Sequence, residues 1–238
     1  MSIWGKLGGA AAGFAVGGPI GALLGGLAGH FALDRSKGGA DATTDVAFTV
    51  GVIALGAKMA KADGQVTTDE VAAFKDVFKV PEGEEQNVAR IFNLAKQDIA
   101  GYEAYAEQLA NMFKDNRPLL EDVLEGLFHI ATADGLLHED EEHYLKQVSK
   151  RFGFPREDYK AIRARFLPED QRSPYRVLGV SSEISNDELK AAYRRLMVEN
   201  HPDKAIARGM PEEFIKIATD KIAAINEAYD EIRRERGL

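Results

Sequence analysis

The sequence predicts an all-α protein, and three observations predict it. From residue 42 to 166 apolar residues recur at spacings of three and four, with no sustained alternation of the strand type. The runs break at Asp63-Gly64, Pro81, Gly101, Pro118, Asp134-Gly135 and Pro155, all helix-ending or helix-opening signals. Beyond residue 172 two further helical stripes open at capping signals. The expected organisation is an N-terminal transmembrane helix with its linker over 1–38, a helical bundle over 39–168, and a C-terminal helical hairpin with short flanking helices over 169–238.

The chain has 238 residues, 45% apolar and 29% charged, with 23 Gly and no Cys. That composition supports a buried core and argues against wholesale disorder. Without cysteine there is no disulfide, thiolate zinc site, iron–sulfur cluster or thiol nucleophile. A net charge of -8 argues against nucleic acid as a partner, because phosphate binding relies on clustered Lys and Arg. The charge is uneven. From Arg172 to Leu238, 12 Lys/Arg balance 12 Asp/Glu, so residues 1–171 carry the whole excess.

The head, Leu7 to Gly29, has no ionisable side chain. As a helix it would span about 34 Å, enough to cross a hydrocarbon core of roughly 30 Å. Gly9, Gly13, Gly17, Gly21 and Gly25 recur at every fourth position, a groove in which a second helix could lie, so a homodimer through the transmembrane helix is expected. Pro19 removes one backbone hydrogen bond from such a helix, and the sequence leaves open whether it kinks it. Arg35 and Lys37 follow the span and only Lys6 precedes it, which places residues 34–238 on the cytoplasmic side of a single-pass inner-membrane protein.

In the middle, about seven helices can be placed. Val71, Phe74, Val77 and Phe78 form one apolar stripe, and Tyr102, Tyr105, Leu109, Met112 and Phe113 a second. A third comprises Leu120, Val123, Leu124, Leu127, Phe128 and Ala131. The segment Ala60-Lys61-Ala62-Asp63-Gly64 through Asp69-Glu70 recurs 71 residues later as Ala131-Thr132-Ala133-Asp134-Gly135 through Asp140-Glu141. Each copy reads as a helix ending in Asp-Gly and a second helix with an acidic first turn, and Thr67 with Glu70 fits a capping box. Capping alone accounts for these acids. Alternatively Asp63, Asp69 and Glu70, and likewise Asp134, Asp140 and Glu141, could hold a divalent cation, Ca²⁺ or Mg²⁺, although neither loop matches the EF-hand pattern. Residues 45–165 resemble the TerB-like domain of tellurite-resistance and membrane-stress proteins, and the resemblance implies a pseudo-twofold helical bundle with acidic loops suspected of metal binding. His129, His138 and His143 lie near the second loop and read as surface or core histidines before zinc ligands.

In the tail, Ser173-Pro174 is a helix opening that starts the short segment Tyr175-Arg176-Val177-Leu178-Gly179-Val180. Ser185 and Glu188 form a capping box for the next helix, whose Leu189, Ala192, Tyr193, Leu196 and Met197 face a core. Lys190, Arg194 and Arg195 lie off that stripe as a basic patch. His201-Pro202-Asp203 follows, where proline ends the helix. The last long helix opens at Pro211-Glu212-Glu213 and presents Phe214, Ala218, Ile222, Ile225 and Tyr229. With Ile225-Asn226-Glu227-Ala228-Tyr229 after it, this order of features resembles a J domain, the module of DnaJ-type co-chaperones, with residues 204–212 forming a longer connection than most.

A glycine-periodic span, a TerB-like bundle and a J domain together resemble the DjlA-type family of membrane-anchored co-chaperones. The resemblance implies docking on an ATP-bound DnaK-family chaperone and stimulation of its ATP hydrolysis. The sites it implies are His201, Pro202 and Asp203, with Lys190, Arg194 and Arg195 steering the encounter. The chemistry would lie in the partner, so no catalytic residue is expected here. A metal-responsive, TerB-type membrane-stress scaffold with the J domain secondary is the alternative.

Overall fold

A helix that is apolar all round must be surrounded, and the helix that runs through residues 46–59 is of that kind. The computed structural model describes residues 17–28, 40–60, 68–77, 85–97, 101–168, 171–207 and 215–238. Within it α1 spans Gly18–Ala28, α2 Ala40–Met59, α3 Thr68–Val77 and α4 Glu85–Gln97. Every residue from Val46 to Ala60 is buried. With α5 (Tyr102–Met112) and α6 (Arg117–Ala131), helices α1 and α4 pack around α2. Gly51 allows the tightest of these contacts: a Cβ there would stand 2.8 Å from the Leu109 side chain and 2.9 Å from that of Ile20. Two more helices, α7 (Glu139–Arg151) and α8 (Arg156–Ala164), complete the bundle. Tyr144 of α7 ties it to the hub by donating its hydroxyl to the Leu55 carbonyl at 2.8 Å.

The internal repeat is structural as well as sequential. The helices after the two Asp-Gly segments, α3 and α7, start at Thr68 and Glu139, 71 residues apart. The stripe on α6 is buried throughout, and Phe74 and Val77 are buried on α3. Val71 departs from expectation, being 43% exposed at the edge of a shallow apolar groove between α3 and α4.

The head differs from the single helix predicted over Leu7 to Gly29. Gly17 and Gly18 have φ of 62° and 60°, left-handed values that interrupt a right-handed helix. Pro19 therefore falls in the first turn of α1, where its missing N–H breaks no helical bond, and it kinks nothing. Ile20, Leu23 and Leu24 are 0–6% exposed, packed in the bundle core beside α2 and α5. The Gln108 side chain of α5 caps the start of α1, accepting from Ile20 N at 3.0 Å and donating to the Gly17 carbonyl at 2.8 Å. Of the five groove glycines, Gly21 is buried inside this chain, Gly17 and Gly25 are not, and Gly9 and Gly13 lie outside the described residues. No described helix is long and apolar enough to cross a membrane, and no strand occurs among the described residues.

The C-terminal part has its own core. A short helix α9 (Pro174–Val177), α10 (Asn186–Glu199) and the long α12 (Ile215–Arg236) gather Val177, Leu178, Leu189, Ile225, Ala228 and Ile232, and a further short helix, α11 (Pro202–Ala207), lies between α10 and α12 in the chain. The connection after His-Pro-Asp is thus partly helical, with α11 lying against α12. The predicted opening of the last helix at Pro211 lies outside the described residues, as does Phe214.

Candidate partner-docking surface

The surface is built on α10, whose start is fixed by its capping box. Ser185 Oγ accepts from Glu188 N at 3.3 Å, and the Glu188 carboxylate accepts from Ser185 N at 3.2 Å. The Ser185 hydroxyl also donates to that carboxylate at 2.7 Å, and this bond, with the one from Ser185 N, holds the Glu188 carboxyl below its usual range. Leu189 and Ala192 are buried against α12, and the Tyr193 ring stacks on that of Tyr229 at 3.9 Å between centroids. The Tyr193 hydroxyl donates to Asn226 Oδ1 at 2.9 Å. With that face committed, helical geometry turns Lys190, Arg194 and Arg195 to solvent, where all three are exposed.

Asn200 ends α10: its backbone N–H and its side-chain amide both donate to the Leu196 carbonyl, each at 2.9 Å. The chain then turns at His201-Pro202-Asp203. Asp203 N donates to His201 Nδ1 at 3.2 Å, so Nδ1 serves as acceptor and the Nε2 side is left for another group. Lys204 N and Ala205 N both donate to the His201 carbonyl, at 2.9 and 3.1 Å, which fixes the turn against α11. The His201 and Asp203 side chains are 55% and 87% exposed, with Nδ1 and Oδ2 3.7 Å apart. Three cations, an imidazole and a carboxylate therefore share one helix and the turn that follows it. What this surface offers is exposed charge and hydrogen-bonding groups for recognition.

The acidic loops are arranged differently. The Asp134 carboxylate accepts from Leu136 N at 2.9 Å, a bond that lowers its pKa, and lies 3.3 Å from His138 Nε2. Glu141 is buried and accepts from His138 N at 3.0 Å, capping α7, while Asp140 is exposed. In the first copy Asp69 is exposed, and Asp63 and the Glu70 side chain lie outside the described residues. No group of three or more His, Asp or Glu able to hold a metal ion occurs among the described residues. Of the histidines, His129 lies 3.8 Å from Asp76 and His143 is exposed.

Sequence reasoning missed a buried charge cluster between α6 and α12. Lys221 of α12 is fully enclosed, its Nζ 2.6 Å from Asp122, 3.3 Å from Glu121 and 3.4 Å from Glu125, all on α6. Arg165, just past α8, pairs with Glu121 at 3.0 Å and with Glu125. Three carboxylates face two cations, so one negative charge is in excess. Burial pushes the Glu125 carboxyl up to about 7 against the pull of Lys221 and Arg165. At Glu121 the same two cations outweigh desolvation and lower the pKa to about 2. The available signal was Lys221 itself, the one charge in the stripe Ala218, Lys221, Ile225, Ala228, Ile232.

The family model described as "Tellurite resistance protein TerB" matches residues 49–164, "Co-chaperone DjlA transmembrane domain" matches 1–43, and "DnaJ domain" matches 173–236. The chain is 32% identical over 203 residues to a co-chaperone protein DjlA of Coxiella burnetii, covering 76% of this chain and 74% of that one. It is 30% identical to one from Legionella pneumophila, over 75% and 73% of the two chains. Against the one from Shewanella oneidensis it is 30% identical, with both chains covered in full. No solved structure matches it.

Proposed function

The chain belongs to the family of the co-chaperone protein DjlA, and from that premise we propose how its docking surface works. It is a membrane-anchored co-chaperone whose J domain recruits a DnaK-family chaperone and stimulates its ATP hydrolysis. One observation carries the mechanism: the exposed His201-Pro202-Asp203 turn ends a helix whose Lys190, Arg194 and Arg195 make no ion pair among the described residues. Free cations on a rigid helix steer an acidic partner face into register, since complementary charge raises the rate of productive encounter. His201 and Asp203, held by their own turn, then meet the partner at a fixed distance from that helix. Hydrolysis takes place in the partner, and this chain supplies binding and orientation only.

We assign the anchored protein to the bacterial inner membrane, with the bundle, α1 included, and the J domain on the cytoplasmic side. Arg35 and Lys37 after the apolar head support that orientation. Because Gly21 is buried within the chain, self-association falls to the earlier part of the glycine series, Gly9 and Gly13, where the four-residue period supports close helix contact.

The test is the steady-state ATPase rate of a bacterial DnaK with full-length protein in detergent. The parent chain should raise it, and His201→Gln should lose the stimulation with its circular dichroism unchanged. Equal stimulation by both would refute the role given to the turn.

A further inference from the structure

The longest helix of the J domain is shared between two cores. Its C-terminal half contributes Ile225, Ala228 and Ile232 to the J-domain core, whereas Ile217 and Ala218 belong to the core of the bundle, as does Ala205 of α11. The bundle is shaped to receive them. Gly126 sits inside α6, where glycine weakens a helix, and a Cβ there would stand 3.0 Å from Ile217 Cδ1.

Lys221 closes the contact. An ammonium has three N–H donors, and three carboxylates of α6 surround this one with none of its side chain exposed. Lys216 adds a rim pair with Asp76 of α3 at 3.3 Å. A second attachment lies at the other end of the domain. Ala164 of α8 is buried in the J-domain core, and a Cβ on Gly179 would stand 3.9 Å from the Ala161 methyl. Two attachments, one through a continuous helix, remove the rotation that a single linker would allow. Throughout, Lys190, Arg194, Arg195, His201 and Asp203 stay exposed.

We propose that the acidic face of α6, Glu121, Asp122 and Glu125, is an internal docking surface for α12 that mounts the J domain on the bundle in one orientation, with Lys221 as the positioning residue. The bundle thereby presents the partner-facing helix outward, a meaning that rests on the co-chaperone role given above. The uneven charge of the chain has a local purpose here: acids of the bundle meet a lysine of the charge-balanced tail.

A chain without cysteine can be labelled at chosen points. Cysteines introduced by Lys150→Cys on α7 and Ala191→Cys on α10, both exposed positions, carry spin labels in the full-length protein in detergent. Pulsed dipolar spectroscopy should give one narrow distance in the parent. That peak should be lost in Lys221→Ala and broadened in the milder Asp122→Asn, which decides alone if Lys221→Ala unfolds. A broad distribution in the parent, or a narrow unchanged peak in the folded variants, overturns the mount. A narrow parent peak without stimulation of DnaK leaves the mount standing and overturns the co-chaperone role instead.

Discussion

Lys190, Arg194 and Arg195 on α10 stand in solvent, whereas Lys221 on the adjacent α12 is sealed among three carboxylates. The same residue type does opposite work in the two places. An exposed cation keeps its hydration and interacts through a screened field, so it contributes little to stability and much to encounter. A buried cation has lost its water and is tolerable only while its carboxylates remain in place. Stability and recognition are therefore divided between the two faces of one small hairpin.

The largest contrast should come from deleting each kind of charge. Lys221→Ala leaves Glu121, Asp122 and Glu125 with one fewer cation in a dry site, and should lower the unfolding free energy by about 3–5 kcal/mol. Arg194→Ala should leave it within about 0.5 kcal/mol. Denaturant melts of the two variants against the parent decide this, and comparable losses would break the contrast.

The buried side should also respond to pH. The Glu125 pKa is raised, so the folded chain holds that proton more tightly than the unfolded one. The resulting stability is fully present below the ordinary value of 4.5 and is lost as pH rises through about 7, with an upper bound of about 3 kcal/mol. Glu121, lowered to about 2, loses its contribution only as pH falls below 4.5 and is constant in this window. His129 lines the same cleft, and desolvation lowers its pKa; its contribution runs the other way, present above 6.5 and lost as pH falls. Melts between pH 5 and 8 should therefore show the parent weakening, and Glu125→Gln retaining only the opposite slope of His129. Parallel profiles would remove Glu125 as the cause.

The smallest effect on stability should accompany a clear effect on association. Lys190→Ala with Arg194→Ala should melt within about 0.5 kcal/mol of the parent. Its association rate with DnaK should fall on the order of tenfold at low salt, and the difference should shrink as salt rises. An association rate that does not change would leave α10 a merely solvated face.

Periodicity was sufficient where one face of a helix decides its fate. The α6 stripe is buried residue for residue, and the capping box at Ser185 and Glu188 forms as spaced. The basic residues off the α10 stripe are exposed because that stripe is committed to α12. Val71 misled because a stripe position at a helix edge is buried only if a neighbour reaches it. The head misled for a different reason: an uncharged glycine-rich run fits a lipid-facing helix or a protein-facing one equally well, and left-handed φ values at Gly17 and Gly18 leave no trace in composition. The mount was half legible. Lys221 interrupts an apolar stripe, but its partners lie about a hundred residues away on a helix with no pairing signal of its own.

The capping of α1 by Gln108 bears on how the protein meets its partner at the membrane. A tether that ended in a loose spacer would let the J domain sweep a hemisphere above the bilayer. Here the last turns of the head are rooted in the bundle, and the bundle in turn holds α12. The angle between α1 and the J domain becomes a property of folded protein. The space that the J domain samples about the bundle shrinks with each rooted contact, and with it the range of directions from which a chaperone can approach the exposed face of α10.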